Sequence, residues 1–419
     1  MAELLRSNIP LLRGLGVDAR WIVFAGSDAF FRVVKRLYHA AYGLPGDGSP
    51  LGEAQLMLFG ETAIAGMPEL GARVRRGDVV ILHDPQSLGF APLLRRLGVH
   101  VVWRMHLGTA ATNEFTNEAR FFLEHWTGAL DAAIFLHRDY VGAWGLHCPA
   151  SAVAPSIDPW SPKNRPLGAE TAQKLLGSLG LAPGSARGEL TRSSHRNTSC
   201  RPYILQVGRW DEAKQPMQLV DEYLALCQTA GCDDLTLVLA GPSPDAVADD
   251  IEGRGVLDRV KATLNALPDR FRTRIRAMDL SMADSEANAR MVNVLQANAR
   301  VVVQNSSAEG FGLTITEAMW KSRPVVVRNV GGLAHQVEDG VNGRVVDACQ
   351  PGAIAGAVSE VLWSPQVAHR LGRQARERVK HSYLQGTHMA RFFRALCAGL
   401  QGEDPVCAED SEGFRDIPG

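Results

Sequence analysis

The sequence predicts an α/β protein made of two doubly wound domains, each with a parallel sheet between layers of helices. Three observations lead to this prediction. The 419 residues exceed the length at which a single hydrophobic core usually stops growing. Short apolar runs alternate with longer segments of helical spacing, as in the strand–helix units of parallel sheets. Residues 182–201 are rich in Gly, Ser and Arg and lack an apolar period, which predicts a linker or surface insertion.

The predicted strands are short runs rich in Val and Ile. In the first half they are Arg20–Phe24, Asp78–Leu82, His100–Arg104, Asp131–Leu136 and Ser151–Ala154. In the second half they are Tyr203–Val207, Leu235–Ala240, Arg274–Met278, Arg300–Gln304 and Pro324–Arg328. Helices are predicted from apolar spacing at Ser87–Leu97, Met217–Thr229, Asp284–Ala297 and Gly312–Lys321.

The two ends of the chain depart from this alternation. A helical pattern, Ala2–Leu15, precedes the first predicted strand, whereas a doubly wound domain ordinarily opens on a strand. Either the domain starts on a helix, or a first strand is encoded upstream of Met1. At the other end, the stretch from Gln401 is polar and acidic, which predicts disorder.

The composition excludes several classes of protein. A formal net charge of −1 provides no general attraction to nucleic acid or to an anionic membrane. The seven cysteines are scattered without a CxxC pair, which argues against a disulfide framework or a zinc site and for a reducing cytoplasm. No apolar run is long enough to span a bilayer, and Glu3, Arg6 and Asn8 interrupt the first segment, unlike a signal peptide. We expect a cytoplasmic enzyme, and a homodimer is left open.

The most informative segment is Gln304–Glu317, QNSSAEGFGLTITE, which follows a predicted strand and opens a helix. Ligands of parallel sheets bind beyond the carboxyl ends of strands, where helix N-termini favour anions. Gly310 and Gly312 allow close approach of the backbone to a ligand. Carboxylates such as Glu309 and Glu317 suit hydroxyl groups rather than anions. A ligand with both phosphates and hydroxyls is a nucleotide sugar.

A second segment, QVGRWDEAKQP at Gln206–Pro216, follows another predicted strand. Arg209 offers a bidentate fork for phosphate oxygens, and Lys214 offers a mobile positive charge. No DxD-like or His-rich metal cluster accompanies them, so these cations are expected to neutralise a departing diphosphate in place of Mg²⁺. We expect neither metal nor cofactor. A dinucleotide-dependent dehydrogenase would share the fold, but no GxGxxG follows a strand and opens a helix.

These motifs resemble the family-4 retaining glycosyltransferases of the GT-B fold, through the E-x7-E form of Glu309…Glu317 and the GR…K form of Arg209 and Lys214. A narrower resemblance is to the trehalose synthases that join an NDP-glucose to glucose, and to the related retaining trehalose phosphorylases. It covers most of the chain, from Met1 to Leu400. The segments that carry it are HDPQ (His83–Gln86), VVWRMHLG (Val101–Gly108), PSIDPWSPKNR (Pro155–Arg165) and EGFGLTITEAMWKSRPVVVRNVGG (Glu309–Gly332).

The resemblance implies two Rossmann-like domains facing each other across a cleft, with the acceptor held mainly by the first and the donor by the second. The predicted divisions are an acceptor-side domain at 1–165, a connecting helix and linker at 166–201, a nucleotide-sugar domain at 202–380, a helix crossing back to the first domain at 381–400, and a disordered tail at 401–419. The two small-molecule substrates implied are a nucleotide sugar and a sugar acceptor.

The resemblance also assigns residues to the donor. Arg209 and Lys214 would hold the diphosphate, and Glu317 would take the ribose hydroxyls. The transferred sugar would be held by Glu309 and the segment that follows it, Gly310, Phe311, Gly312 and Leu313.

For the acceptor side, the resemblance assigns His83, Asp84, Gln86 and Arg104. His106 matches the histidine that in such enzymes reaches the donor sugar near its reacting carbon. The predicted catalytic residues are therefore His106, Glu309, Arg209 and Lys214.

One departure concerns the first strand of the family and its Gly-rich loop, which are absent because Met1 falls where the following helix begins. The implied activity is hexosyl transfer with retention from NDP-glucose to a sugar, with glucose as acceptor giving trehalose. A trehalose phosphorylase using glucose 1-phosphate, or a catalytically weak nucleotide-sugar-binding protein, are the alternatives. Because the motifs supply no unambiguous nucleophile, front-face attack is favoured over double displacement.

Overall fold

The computed structural model describes residues 2–181, 202–228, 232, 234–246, 252–347 and 350–403. The predicted linker at 182–201 and the predicted tail beyond residue 403 lie outside the described residues. None of the described helices is both long and apolar enough to cross a membrane.

The strands of the described residues follow the predicted runs closely in the second half of the chain and in most of the first. They are β1 (Val79–His83), β2 (His100–Arg104), β3 (Ala132–Phe135), β4 (Ala150–Ala152), β5 (Tyr203–Val207), β6 (Thr236–Pro242), β7 (Ile275–Leu280), β8 (Val301–Gln304), β9 (Val325–Arg328) and β10 (Arg344–Val346).

The helices of the described residues alternate with these strands. They are α1 (Ala2–Gly14), α2 (Asp28–Ala41), α3 (Glu53–Gly71), α4 (Ala91–Arg96), α5 (Glu114–Thr127), α6 (Ala169–Ser178), α7 (Pro216–Leu226), α8 (Gly253–Ala266), α9 (Asp269–Arg272), α10 (Ser285–Asn298), α11 (Leu313–Trp320), α12 (Gly331–Gln336), α13 (Ala353–Trp363), α14 (Pro365–Ser382) and α15 (Gln385–Leu400). Short 3₁₀ helices lie at Pro85–Phe90, Arg138–Tyr140, Gly142–Trp144, Glu212–Lys214 and Pro244–Ala246.

The described residues form two compact units. The first takes in the described parts of Met1–Pro155 and Gln385–Gly419, together with Glu309–Phe311. The second takes in those of Ser156–Ala308 and Gly312–Leu384.

The sheet of the first unit has the order β1-β2-β3-β4, and all its pairings are parallel. All four residues of β3 are buried, as expected for an inner parallel strand with helices on both faces. Helix α15 packs on this sheet, where Met389, Phe392 and Ala395 join a hydrophobic cluster with Ile134. The C-terminal helix is therefore part of the core of the first unit.

The sheet of the second unit has the order β10-β9-β8-β5-β6-β7, again with every pairing parallel. The chain runs from β5 outward to β7, then returns to the other side of β5 to form β8, β9 and β10. The switch of direction thus falls between β5 and β8. In open parallel sheets this is where ligands bind, because loops on either side of the switch diverge and leave a crevice.

Two predictions of secondary structure are wrong. Arg20–Phe24 is not a strand, and it lies on an exposed segment in which Val23 is 71% exposed and Trp21 40% exposed. Arg20–Phe24 pairs with no strand of the described residues, and an apolar run becomes a strand only where it hydrogen-bonds to a neighbouring strand. Ser87–Leu97 is not one helix but a 3₁₀ helix, Pro85–Phe90, followed by α4.

Strand β10 has no counterpart among the predictions. It is only three residues long and begins with the charged residue Arg344, so it carries no strand pattern. Its conformation comes from parallel pairing with β9, in which Val345 lies opposite Val327.

Candidate functional site

The two donor motifs follow the two strands at the switch point of the second sheet. Arg209 and Lys214 come directly after β5, and Asn305 begins the loop after β8. Strands β5 and β8 are hydrogen-bonded neighbours, with Ile204 opposite Val301. The structure therefore brings together, at one sheet edge, two segments that lie about a hundred residues apart in sequence.

The loop after β5 presents both predicted cations. The Arg209 side chain is 44% exposed, and its guanidinium lies 3.7 Å from the Asp211 carboxylate. The other carboxylate oxygen of Asp211 accepts a hydrogen bond from Ala213 N, which caps the 3₁₀ helix that ends at Lys214. The Lys214 side chain runs alongside Gly208, with its methylenes 3.6–3.8 Å from where a β-carbon there would stand. Both cations thus project from a turn with a defined backbone.

Gly241 on β6 lies directly beneath this loop. A β-carbon at this position would come within 2.5 Å of the Gly208 carbonyl oxygen and 2.8 Å of the Trp210 indole nitrogen. Trp210 is itself 3% exposed and belongs to the core of the second unit. The close approach of loop and sheet therefore requires glycine at 241.

The loop after β8 ends at α11, where Gly312 takes a left-handed conformation with φ of 91°. Glycine reaches this conformation without steric cost, so the chain can turn sharply into the helix. Leu313 is the first residue of α11, and the N–H groups of this first turn point toward the carboxyl edge of the sheet. The helix predicted at Gly312–Lys321 is confirmed as α11, with Gly312 as the residue that precedes its first turn.

Glu317 lies one turn further into α11 and is buried. One carboxylate oxygen accepts a hydrogen bond from Gln296 Nε2 at 3.1 Å, and the other lies 3.5 Å from Lys163 Nζ. Lys321 Nζ donates to the Gln296 side-chain oxygen and to Asn164. The carboxylate that the family resemblance assigns to ribose is thus charge-balanced by Lys163 within a buried polar cluster.

The first unit gathers its predicted residues at the carboxyl ends of β1 and β2. His83 is the last residue of β1 and Arg104 the last of β2, while Asp84 and His106 follow within two residues. Gln86 lies in the 3₁₀ helix after β1, where its side-chain oxygen accepts a hydrogen bond from Tyr38 Oη at 2.8 Å.

Asp84 has a backbone conformation that non-glycine residues rarely adopt, with φ of 61° and ψ of 178°. Its N–H donates to Arg104 O, and its carbonyl accepts from the Trp103 indole and the Ser87 hydroxyl. Its carboxylate accepts from the backbone N–H of His106 at 2.7 Å. These contacts hold the strained residue in place, and they tie the loop after β1 to the loop that carries His106.

His83 and His106 face each other. His83 Nδ1 lies 2.9 Å from His106 Nε2, a hydrogen bond in which one ring donates and the other accepts. Burial, and then the nearby charge of Arg104, lower the pKa of His83 to about 4 and that of His106 well below its usual range. Burial raises the pKa of Asp84 to about 6. Both imidazoles are therefore neutral near pH 7 and can exchange hydrogen bonds with sugar hydroxyls.

Arg104 is buried, and its guanidinium is hydrogen-bonded to backbone carbonyl groups. Its guanidinium donates to Phe135 O at 3.0 Å and to Val153 O at 2.6 Å, across the ends of β3 and β4. The same guanidinium lies 5.9 Å from the centre of the Phe392 ring on α15. Burial lowers the pKa of Arg104 to about 10, and its positive charge favours the neutral forms of the histidines beside it.

The segment Glu309–Phe311 clusters with the first unit. The Gly310 carbonyl accepts a hydrogen bond from Tyr140 Oη at 3.3 Å. A β-carbon on Gly310 would stand 2.9 Å from His106 O and 3.0 Å from Tyr42 Oη, so only glycine fits here. Burial and the charge of Glu309 both raise the pKa of Tyr140.

Comparison with known proteins shows which family the chain belongs to. Residues 1–142 match the family described as trehalose synthase, N-terminal domain, and residues 285–378 match glycosyl transferases group 1. A trehalose synthase from Rubrobacter xylanophilus is 30% identical over 92% of this chain and 84% of its own length. The chain belongs to the trehalose synthase family.

This member of the trehalose synthase family also resembles other proteins more distantly. A trehalose phosphorylase from Pleurotus pulmonarius is 25% identical over 88% of the chain, which spans only 51% of that protein. A trehalose-phosphate synthase from Burkholderia xenovorans, solved with glucose-6-phosphate, superposes with a TM-score of 0.68 at 14% identity, covering 88% of this chain and 84% of that one. This structural likeness confirms the predicted GT-B fold with two parallel-sheet α/β domains.

Several residues of this glycosyltransferase became functional candidates only through the structure. Gln206 and Asn305 lie inside the two donor motifs, but as uncharged residues they drew no assignment from the sequence. Lys163 lies in PSIDPWSPKNR, where no local feature shows that it pairs with Glu317, more than 150 positions away. In each case the signal is a side chain whose partner is distant in sequence.

Proposed function

We propose that this protein transfers glucose from an NDP-glucose to a sugar acceptor, and that glucose is the acceptor, giving trehalose. The observation that carries the proposal is the pairing of the two donor motifs at the β5–β8 switch point. A cationic loop and a glycine-containing helix start together suit a ligand that carries both a diphosphate and hydroxyl groups. Membership of the trehalose synthase family supports glucose as the transferred sugar.

On this proposal Arg209 and Lys214 bind the diphosphate. Their charges stabilise the nucleoside diphosphate as the glycosidic bond breaks and negative charge builds on the leaving oxygen. Asp211 lies 3.7 Å from the Arg209 guanidinium and offsets part of its charge. Because two protein cations are available, the reaction requires no divalent metal.

Glu309, the 310–313 segment and Glu317 bind hydroxyl groups of the donor. For Glu317 this means that ribose shares the carboxylate with Lys163 and Gln296. Its buried position favours such hydrogen bonds, because they are stronger in a region with little water.

His106 contacts the transferred sugar near its reacting carbon, and His83, Asp84 and Gln86 bind the acceptor. Neutral imidazoles suit this role, since they can donate or accept a hydrogen bond without adding charge beside the oxocarbenium-like transition state. Arg104 acts through its surroundings: it holds the ends of β3 and β4 and disfavours protonation of His83 and His106. Attack takes place from the front face, with the departing phosphate receiving the acceptor proton.

A trehalose phosphorylase is the second candidate, because trehalose phosphorylases are among the related proteins. This enzyme would form glucose 1-phosphate from trehalose and inorganic phosphate. The same cations would then bind a single phosphate group.

A donor screen tests the proposal. UDP-, ADP- and GDP-glucose are each incubated with glucose, NDP release is followed by a coupled assay, and the product is identified by chromatography and mass spectrometry. A parallel reaction with trehalose and inorganic phosphate tests for phosphorolysis. We expect acceptor-dependent NDP release and trehalose as product.

The variants R209A and K214A connect the activity with the site. Each is expected to weaken NDP binding and to lower turnover by about 2–4 kcal/mol of transition-state stabilisation. Glucose 1-phosphate as the only product would favour the phosphorylase. NDP binding without release in the presence of any tested sugar would favour a binding protein. Unchanged NDP affinity in both variants would overturn the assignment of Arg209 and Lys214 to the diphosphate.

A further inference from the structure

Three consecutive backbone carbonyls in the turn that carries Lys214 each accept a hydrogen bond from a group outside the turn. Ala213 O accepts from Ser307 N at 2.7 Å, and Lys214 O accepts from Gln206 Nε2 at 3.0 Å. Gln215 O accepts from Asn305 Nδ2 at 3.1 Å. Two of the three donors belong to the loop after β8, and the third is on β5.

The Gln206 side chain also ties the two loops to each other. While its Nε2 donates to Lys214 O, its Oε1 accepts from Asn305 N at 2.9 Å. Gln206 is 5% exposed and Asn305 is fully buried, so water cannot replace either bond. Gln206, Asn305 and the N–H of Ser307 are called the turn-binding network below.

The turn is in a conformation that needs such support. Gln215 has φ of 51° and ψ of 46°, the left-handed region that non-glycine residues enter at a steric cost. Pro216 follows it and opens α7, which confines the chain further. A turn in this conformation persists only when surrounding contacts hold it in place. The turn-binding network supplies three such contacts, the hydrogen bonds to the three carbonyls.

The network also determines where Lys214 points. The Lys214 side chain leaves the held turn and passes alongside Gly208, immediately before Arg209. Relaxing the turn would move the ammonium group while leaving its charge unchanged. A displacement of about 1 Å in a binding group can cost on the order of a hundredfold in rate.

We propose that the turn-binding network positions Lys214 for the diphosphate, and that Gln206 and Asn305 are positioning residues for the donor. The inference rests on the proposed function, because it takes a nucleoside diphosphate as the ligand of Lys214. It adds that the loop after β8 shapes the phosphate site through the turn it holds as well as through its own glycines.

The variants Q206E and N305D test this inference with minimal change of shape. Glutamate at 206 can still accept from Asn305 N, but its ionised form cannot donate to Lys214 O. Aspartate at 305 loses the donor to Gln215 O in the same way. N342D is the matched control, because Asn342 is also a buried amide that accepts from one backbone N–H, that of Glu338, and donates to one carbonyl, that of Gln336.

The measurement compares diphosphates with monophosphates. Dissociation constants of UDP, ADP and GDP and of the matching monophosphates are obtained by calorimetry for the wild type, Q206E, N305D, N342D and K214A, with thermal midpoints as a check on folding. We expect Q206E and N305D to weaken diphosphate binding about ten- to hundredfold, and monophosphate binding much less. At acidic pH, where the new carboxyl groups are protonated and can donate again, the diphosphate affinity is expected to recover in part.

The outcomes separate three explanations. Equal losses for diphosphate and monophosphate, or losses that N342D reproduces, would mean that the network serves only the stability of the fold. Unchanged diphosphate binding in Q206E and N305D, with a large loss in K214A, would overturn the network's role while the assignment of Lys214 to the diphosphate would stand. Unchanged binding in K214A itself would overturn the proposed function at this site.

Discussion

Replacing Gly241 by alanine should displace the loop after β5, which carries Arg209 and Lys214, without changing any side chain proposed to bind the ligand. The added β-carbon would stand 2.5 Å from Gly208 O and 2.8 Å from Trp210 Nε1. A carbon and a carbonyl oxygen in contact are normally separated by about 3.3 Å or more. The loop, the sheet or both must therefore move by roughly 0.8 Å in total.

The size of the effect depends on whether the groups that would clash with the added β-carbon can move away. Gly208 O belongs to the backbone, and Trp210 is packed in the core, so neither can rotate away as the end of a flexible side chain would. Overpacking of this kind typically costs about 1–3 kcal/mol of stability. Because Arg209 lies between the two displaced groups, we expect NDP affinity and kcat/KM to fall about ten- to hundredfold.

Calorimetric titration with NDP, steady-state kinetics and thermal unfolding measure these effects. G255A is the control, since Gly255 lies within α8 and its added β-carbon would meet only the end of Arg259, at 3.6 Å. Alanine there is expected to stabilise the helix by about 0.5–1 kcal/mol and to leave NDP binding unchanged. If G241A binds NDP like the wild type while remaining folded, the position of the loop does not control the phosphate site, and the reasoning fails.

Three further predictions concern the metal, the pH dependence of stability and the Glu317 cluster. Turnover should be unchanged after treatment with EDTA, and its loss with recovery on adding Mg²⁺ or Mn²⁺ would contradict the role given to Arg209 and Lys214. Burial and the charge of Arg104 lower the pKa of His388 to about 4 from an ordinary value of 6.5, so the unfolded chain takes up a proton at a higher pH than the folded one. The stability from neutral His388 is therefore present above pH 6.5 and lost as pH falls toward 4. Between pH 7 and pH 5 the free energy of unfolding should fall by roughly 2 kcal/mol more in the wild type than in H388Q. Equal losses in denaturant titrations would refute this. K163M should destabilise the protein by about 3–5 kcal/mol, because it removes the cation of a buried ion pair. The same change should cost less when E317Q is already present, and equal costs in both backgrounds would show that the two side chains are not coupled.

Local patterns were sufficient for most of the secondary structure. The Val- and Ile-rich runs at β2 and β5 have the same bounds in prediction and structure, because buried parallel strands require continuous apolar residues. Arg20–Phe24 has a similar run and forms no strand, since strand formation also needs a neighbour to pair with. For β10 the neighbour is β9, and pairing produces a strand that its own residues do not indicate.

The candidate site shows the same division. Arg209, Lys214, Gly312 and Glu317 could be selected from the sequence, because their residue types and their positions at strand ends indicate phosphate and hydroxyl chemistry. The ion pair between Glu317 and Lys163 could not be predicted, since no helical or strand period relates the two positions.

The sequence by itself determined which segments have the apolar pattern of a helix or a strand, where the glycines lie, and which charged side chains the phosphate site offers. These depend on interactions among residues a few positions apart, which a local pattern records. Only the tertiary structure decided that β8 returns beside β5, so that Asn305 meets Gln206 from 99 positions away and Ser307 reaches Ala213. It likewise placed His83 within hydrogen-bonding distance of His106. The order of parallel strands depends on how whole helices and sheets pack and close long loops, a free-energy balance over the entire unit that no single segment contains.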